Sequence, residues 1–271
     1  MRDEELRAAA DSNYAESMRI IAQQVCARGR SERMHGLLLT STGTDAGWLN
    51  IAFVLAPPPD PEAAFVAARR FYADAGEHWL MRIPAGLFEG VEAAANRWGF
   101  RHSDNVPGMT LHPMPEPAAS YPIEIRPVDD AEGVAAFASI VGACFGFGEV
   151  QARSLISDHL LEAPDVRAWL GYVDGRPVAT AMLIYERDIA GIWCIGTLDG
   201  YRGRGIGEAV TRRAIDEGTR MGCELANLQA SEMGRPVYER MGFRPIDRRV
   251  AYYSRRDRPA ADAIVMGLAL G

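Results

Sequence analysis

The most informative segment of the chain is a glycine-rich one, Thr197-Leu198-Asp199-Gly200-Tyr201-Arg202-Gly203-Arg204-Gly205-Ile206-Gly207. It follows a predicted strand over residues 191–198 and precedes a predicted helix that runs to about residue 222. Glycines allow a tight turn whose N–H groups face one concavity. The start of a helix adds partial positive charge, and Arg202 and Arg204 add more. The segment is therefore predicted to bind a pyrophosphate.

Two common phosphate-binding motifs do not fit this segment. A dinucleotide-binding fingerprint that begins at Gly203 and Gly205 requires a third glycine at position 208, where the chain has Glu208. A P-loop requires a lysine before a serine or threonine. The sequence contains no lysine, because all 29 basic residues are arginine. The same absence excludes Schiff-base chemistry on a lysine.

A third motif fits. Arg202, Gly205 and Gly207 match the Arg/Gln-x-x-Gly-x-Gly/Ala loop of the GNAT acetyltransferase superfamily. A predicted helix and strand then lead to Val237-Tyr238-Glu239-Arg240-Met241-Gly242-Phe243, which resembles a later family motif in order and spacing. The resemblance covers about residues 122–255. It implies a mixed α/β fold, in which a mostly antiparallel sheet is flanked by helices, and acetyl-CoA as the acyl donor. The alternative for the loop alone is a structural glycine turn.

The resemblance also implies which residues hold the donor. The strand before the loop hydrogen-bonds the pantetheine arm through its backbone, here at Ile195, Gly196 and Thr197. The N–H groups that follow hold the pyrophosphate, with Arg202 beside them. Those N–H groups belong to Gly203, Arg204, Gly205, Ile206, Gly207 and Glu208. Ser231 occupies the position of the family's usual asparagine. A serine hydroxyl can still hydrogen-bond the cofactor, but its side chain is shorter than that of asparagine.

The resemblance assigns a general acid more clearly than a general base. Tyr238 matches the tyrosine that protonates the departing CoA thiolate, and the alternative for Tyr238 is a core aromatic residue. Residues 191–193 and Ala226 provide none of the carboxylates that some relatives use as a base. We therefore take Glu186 as the candidate base, with Asp188, Glu149 or an ordered water as alternatives. Each of these carboxylates has a solvated surface charge as its competing interpretation.

The chain divides near residue 120. Residues 113–122 hold four prolines with His112 before them, and this composition predicts an exposed linker between residues 1–112 and residues 123–271. Trp98-Gly99-Phe100 resembles Met241-Gly242-Phe243, which suggests a tandem duplication, with coincidence as the alternative. The loop position of the first part reads Ala56-Pro57-Pro58-Pro59-Asp60-Pro61-Glu62. Prolines donate no N–H and the carboxylates repel phosphate, so a degenerate GNAT-like domain without a CoA site is expected. That domain is predicted either to help shape the acceptor pocket or to serve stability alone.

The composition of the chain limits the kinds of binding partner and the cellular compartment that we expect. A net charge of −7 argues against a nucleic-acid surface. No apolar run approaches the roughly 18 residues of a membrane helix, so we expect no membrane partner and a cytoplasmic protein. The four cysteines and five histidines show no metal-ligand spacing, so no metal is expected. The apolar tail, residues 260–270, is expected to pack on a domain or subunit surface, which leaves a homodimer open.

These observations together predict a tandem GNAT enzyme. The expected reaction moves an acetyl group from acetyl-CoA to the amine of a small molecule or peptide, by direct attack in a ternary complex. Two alternatives stay open at this point. One is a non-catalytic sensor that binds acyl-CoA, and the other is an acetyltransferase with a thiol or hydroxyl acceptor.

Overall fold

The computed structural model describes residues 1–44, 47–73, 78–84, 88–103, 108–246 and 250–255. The α-helices in these ranges are α1 (Asp3–Ile20), α2 (Pro61–Phe71), α3 (Glu89–Arg97), α4 (Ala131–Phe145), α5 (Glu149–Leu155), α6 (Ile206–Arg220) and α7 (Arg235–Arg240). The strands are β1 (Arg30–Met34), β2 (Leu37–Ser41), β3 (Ile51–Val54), β4 (Leu80–Pro84), β5 (Phe100–Ser103), β6 (Gly108–Leu111), β7 (Glu124–Pro127), β8 (Val166–Val173), β9 (Arg176–Glu186), β10 (Ile189–Thr197), β11 (Leu225–Gln229), β12 (Arg244–Ile246) and β13 (Val250–Arg255).

The strands form two mixed sheets. The first has the order β1-β2-β3-β4-β13-β5, and the second has the order β12-β6-β11-β10-β9-β8-β7. Most neighbours are antiparallel, whereas β3 pairs with β4 and β10 pairs with β11 in parallel. Helices pack on both sheets, so the predicted mixed α/β class with a mostly antiparallel sheet is confirmed.

The two parts of the chain each give one strand to the other's sheet. Strand β6 precedes the proline-rich segment, yet it pairs with β11 and β12 in the second sheet. Strand β13 ends the described chain, yet it pairs with β4 and β5 in the first sheet. The division at residues 1–112, 113–122 and 123–271 is thus a division of the sequence and does not coincide with the division between the sheets.

Helix α1 joins the two sheets through a shared core. Tyr14 lies in one buried cluster with Phe53 of the first sheet and Trp193 of the second. The Tyr14 ring stacks on Trp193 with ring centroids 5.4 Å apart, and it meets the Phe53 ring edge-on at 5.4 Å. Aromatic contacts of this kind add to the free energy of apolar burial. The N-terminal helix therefore packs against the same sheet that carries the glycine-rich loop.

The proline-rich segment is fastened along α6. Asp216 is fully buried on α6, and its Oδ2 accepts hydrogen bonds from the Ala118 N–H at 3.0 Å and the Tyr121 hydroxyl at 2.7 Å. Thr219 Oγ1 donates to the Pro115 carbonyl at 3.1 Å. The segment was expected to be an exposed linker. Instead it is half-buried and held by side chains of the helix that begins at the loop.

Several elements end in irregular turns. Helix α1 ends at Ile20 and continues as a π-helical turn over Ile21–Val25. Helix α5 is followed by a 3-10 turn over Asp158–Glu162. Asp130 caps the start of α4 by accepting the Gly133 N–H at 2.7 Å.

Within the described ranges, no single helix is long and apolar enough to cross a membrane. Helix α4 and the segment Glu149–Glu162 meet those criteria only as a pair, and the pair is bent by 117°.

Candidate active site

A bulge in β10 opens the second sheet. The register of β10 against β9 shifts between Trp193 and Gly196, and Cys194 has a positive φ of 50°. The Thr180 hydroxyl on β9 donates to the Cys194 carbonyl at 2.7 Å and holds this conformation. Bulges bend a strand and increase its twist. The parallel pairing of β10 with β11 accordingly covers only residues 189–191 against residues 225–227.

The opening leaves part of the β10 backbone facing a gap. The Leu198 N–H donates to the Val178 carbonyl on β9, and Gly196 is paired with Thr180. Because alternate residues of a strand direct their backbone groups to opposite neighbours, those of Ile195 and Thr197 face the side that β11 has left. A flexible chain that lay along this edge would find hydrogen-bonding groups there, and the Thr197 carbonyl among them already accepts one bond, from Arg202 Nε.

The glycine-rich loop forms a turn directly after this edge. Gly203 has φ 71° and Gly205, the N-cap of α6, has φ 75°. A side chain is strained at such angles, which explains glycine at both positions. At Gly207 the requirement is space, since a Cβ atom there would lie 3.1 Å from Thr197 Oγ1. The first N–H groups of a 15-residue helix have no partner within the helix, so the turn fits a pyrophosphate.

Arg202 braces the loop. Its Nε donates to the Thr197 carbonyl at 3.0 Å, and its guanidinium pairs with Asp199 at 2.7 Å. This position was predicted to add positive charge beside a phosphate. The structure gives it a second role, because the side chain joins the end of β10 to the start of the turn. Arg204 instead lies near the Tyr201 ring, with its guanidinium carbon 5.7 Å from the ring centroid.

Helix α7 and the turn before it form the opposite wall. Ser231 is 6% exposed, and its hydroxyl oxygen accepts the Gly234 N–H at 3.0 Å. A serine hydroxyl that accepts one bond still has its own proton to donate. The predicted contact with the donor therefore remains open to Ser231, while the same oxygen orders the turn that leads into α7.

Tyr238 lies on α7 with its ring packed against that turn. It is 8% exposed, and a Cβ atom at Gly234 would lie 2.9 Å from its Cε2 atom. Burial raises the pKa of the Tyr238 hydroxyl above its ordinary range. Desolvation disfavours the phenolate, so the hydroxyl stays protonated and can act as a hydrogen-bond donor at neutral pH.

The open edge, the loop and the α7 wall enclose one cavity of about 380 Å³. The predicted site residues that line it are Ile195, Gly196, Thr197, Arg202, Gly203, Gly205, Ile206, Gly207, Glu208, Ser231 and Tyr238. Arg204 and Glu186 do not line this cavity. The structure thus brings all of the implied donor-binding residues except Arg204 together with the implied acid.

Glu186 lies elsewhere. It ends β9 and pairs with Ile189 at the start of β10, so about 20 Å of strand separate it from Ile195 at ~3.3 Å per residue. Its carboxylate pairs with Arg187 at 3.0 Å. Burial raises its pKa, the charge of Glu16 adds to that rise, and Arg187 opposes it. That Glu186 acts as the general base stays a prediction. Its distance from the cavity argues against this role.

The sequence did not single out every residue of the cavity wall. Cys144 and Phe145, at the end of α4, line it together with Met233, Gly234 and Arg240. No motif marks α4, whereas Gly234 stands four residues before Tyr238 and could have been found from helical spacing. Burial raises the pKa of the Cys144 thiol against the opposing effect of Arg202, so this thiol stays protonated.

Comparisons with known proteins agree with this geometry. Residues 134–243 match the family model described as acetyltransferase (GNAT) family. A solved GCN5-related N-acetyltransferase from Kribbella flavida has 20% identity and a TM-score of 0.66, over 93% of this chain and 97% of that chain. A functionally unknown conserved protein from Staphylococcus epidermidis has 14% identity and a TM-score of 0.59, over 86% and 94%. A GNAT-family acetyltransferase, so described, from Novosphingobium aromaticivorans has 18% identity and a TM-score of 0.52, over 83% and 89%. None of the curated proteins compared with the chain matches it.

Proposed function

We propose, from the premise that residues 134–243 form a GNAT acetyltransferase domain, that this protein is an acyl-CoA-dependent N-acetyltransferase. Acetyl-CoA supplies an activated acetyl thioester, and the acceptor is an amine of a small molecule or peptide. The acetyl group passes directly to the amine while both substrates are bound.

A single relationship carries this proposal. The open backbone edge at Ile195 and Thr197 leads without interruption into the helix start at Gly205, and both line the same cavity. A ligand that fits has an anionic end for the N–H groups and an extended polar arm for the strand edge. CoA has both parts, in that order.

Tyr238 supports an enzyme over a simple binding module. Its hydroxyl stays protonated and lines the cavity, so it can donate a hydrogen bond to a departing sulfur. A full proton transfer from a tyrosine above its ordinary pKa of about 10 to a thiolate of about 8.5 is uphill in water. The same burial raises the pKa of a thiol, which reduces the mismatch.

The cysteines support direct transfer over a covalent acyl-enzyme. Cys144 lines the cavity, but burial raises the pKa of its thiol. Burial also raises the pKa of the Cys194 thiol to about 12. The thiolate is the nucleophilic form of cysteine, so neither residue is activated for attack on a thioester.

The N-terminal part is proposed to lack a second CoA site. After β3 the chain enters its proline-rich turn, and Asp60 accepts the Ala63 N–H at 3.1 Å at the start of α2. An anion approaching this helix start would meet that carboxylate. The part therefore serves as a degenerate GNAT-like repeat that packs on the active half through α1.

A sensor that binds acyl-CoA without turnover is the second candidate. The observation that favours it is that no carboxylate among the described lining residues is placed to act as a general base. Among the described residues that line it, Glu208 is the carboxylate, and it lies on the first turn of α6 at the phosphate end. In the enzyme, the acceptor amine must therefore arrive neutral or lose its proton to water.

The test is turnover of acetyl-CoA across a broad panel of amines, followed through the release of free thiol. An enzyme releases thiol in proportion to an acetylated product that mass spectrometry identifies. Tight binding of acetyl-CoA without turnover of any amine, thiol or alcohol would contradict the enzyme and favour the sensor.

A further inference from the structure

A second cavity of about 30 Å³ lies along α4 and β10, the two elements that also border the donor cavity. Helix α4 contributes Val141 to the small cavity and, one turn later, Cys144 to the donor cavity. Strand β10 contributes Cys194 to the small cavity and, from the next residue, Ile195 to the donor cavity. The small cavity is therefore a compartment that lies beside the donor cavity, along one helix and one strand.

The direction in which the donor lies brings its acyl end close to the small cavity. The phosphate end belongs at the start of α6, and the open backbone edge runs from Thr197 back to Ile195. An arm laid along that edge reaches the bulge at Cys194 with its far end. The small cavity begins at that residue.

The chemistry of the small cavity suits hydrocarbon. Its lining side chains are alkyl, aromatic or thioether, apart from Thr42 and the protonated thiol of Cys194. A water molecule needs two to four polar partners to occupy a buried site, so such a space favours an apolar group. The volume of about 30 Å³ exceeds the roughly 10–15 Å³ that a site for one water molecule needs, so the cavity admits a short alkyl extension and no long chain.

The N-terminal part closes this compartment. Met18 of α1 and Leu49 of the first part line it together with Val141 and Met182. Met18 and Leu49 are 1% and 5% exposed, so the wall they form is packed against the core.

We infer that this compartment receives the acyl chain of the donor and accommodates a three-carbon acyl group, with Met18 and Leu49 of the N-terminal part setting the upper limit of length. The inference rests on the proposed function and deepens it. It gives the N-terminal part, which is proposed to bind no CoA itself, a role in selecting the donor.

The test compares the affinities of CoA, acetyl-CoA, propionyl-CoA and butyryl-CoA for the full chain by calorimetry, which needs no known acceptor. One more buried CH₂ group is expected to make propionyl-CoA bind about fourfold tighter than acetyl-CoA. Butyryl-CoA should gain nothing further, or bind more weakly, because the wall at Leu49 is reached.

Two variants, one in each part of the chain, should move this limit. Val141→Ala and Leu49→Ala each enlarge the compartment, and each should raise the affinity for butyryl-CoA relative to acetyl-CoA by about fourfold or more. Val134→Ala is the matched control, because Val134 is a fully buried valine of the same helix that does not line the compartment. The ratio of two affinities is independent of the folded fraction, so loss of stability does not imitate the effect.

The outcomes separate this inference from the proposed function. Equal affinities for acetyl-CoA and propionyl-CoA would overturn the acyl compartment and leave CoA binding intact. A shift in Val134→Ala as large as in Val141→Ala would overturn it as well. Failure of the full chain to bind CoA or any of the three thioesters would contradict the proposed function, and this inference with it.

Discussion

Arg202 donates from Nε to the Thr197 carbonyl at 3.0 Å, across the turn that joins β10 to the helix start. This bond fixes the last residue of the open strand edge relative to the glycines that follow it. A second contact of Arg202, to Asp199, involves an aspartate that is 86% exposed, and exposed ion pairs contribute little. The bond to the carbonyl is therefore the one that shapes the loop.

Arg202→Ala should weaken CoA binding by about 3- to 10-fold, because the loop loses its brace while the backbone donors remain. Arg204→Ala is the matched control, since that arginine lies against Tyr201 and does not line the cavity. Calorimetric titration of both variants with CoA measures the difference. An equal loss of CoA affinity in the two variants would mean that positive charge near the loop governs affinity, and that the hydrogen bond from Arg202 to Thr197 does not.

Tyr238→Phe should lower turnover by about 10- to 1000-fold with little change in acetyl-CoA affinity, because it removes one hydroxyl and keeps the ring packing. Tyr185→Phe serves as the control, as the Tyr185 hydroxyl bonds Asp188 at 2.9 Å away from the cavity. The measurements are turnover with any accepted amine, acetyl-CoA affinity and Tm. Unchanged turnover would remove the acid role and leave the thiolate to solvent.

The pH dependence of turnover offers a second check on Tyr238. Because its pKa is raised, the protonated, donating form persists above pH 10, and activity falls only when the hydroxyl ionises at still higher pH. The profile of kcat should accordingly show no loss between about pH 8 and pH 10 that depends on Tyr238. A descending limb in that range that disappears in Tyr238→Phe would contradict this expectation.

Gly234→Ala should reduce turnover by displacing the Tyr238 ring, since the new Cβ atom would lie 2.9 Å from Cε2. The backbone at Gly234 has φ −77°, so the effect would come from the contact and not from the backbone angle. Gly200→Ala is the control, because nothing lies within 4 Å of a Cβ atom there and its φ lies outside the positive range. We expect at least a tenfold difference in kcat between the two variants, and similar values would show that the ring position is not critical.

Glu186→Gln tests the base that the sequence suggested. From its position at the far end of β10 we expect turnover to change by less than about threefold. A loss of turnover within the roughly 10²- to 10⁴-fold range of general acid–base catalysis would support Glu186 as the base. It would contradict the expectation that a residue this far from the cavity takes no part in the reaction. The assay is turnover at several pH values with a fixed amine.

The glycine-rich loop could be located from the sequence because its residues belong to one short segment. The glycines at 203, 205 and 207 are required by backbone angle or by space, and these requirements act locally. The strand edge and Tyr238 were named from the resemblance to a known family, and both lie at the same cavity as the loop. The bond of Arg202 to the Thr197 carbonyl depends on how tightly the turn closes, which no pattern specifies.

The remaining features depend on contacts between distant parts of the chain. Strands β6 and β13 have ordinary apolar patterns, and nothing in a strand's own sequence states which sheet it will enter. Cys144 reaches the cavity because α4 packs along β10, a tertiary contact that carries no motif. Glu186 is adjacent in sequence to the strand that leads to the site, yet it faces the opposite end of the sheet.

The most direct test of the account is the stoichiometry of CoA binding to the full chain, measured by calorimetry for the wild type and for Gly205→Asp. One site per chain is expected, and Gly205→Asp should abolish it by adding negative charge where phosphate approaches. Gly175→Asp is the matched control, because that glycine has φ 73° against 75° at Gly205 and is equally open, but lies in the hairpin turn between β8 and β9. Near-wild-type affinity in Gly205→Asp, or two equivalent sites per chain, would contradict a single phosphate cradle at the start of α6.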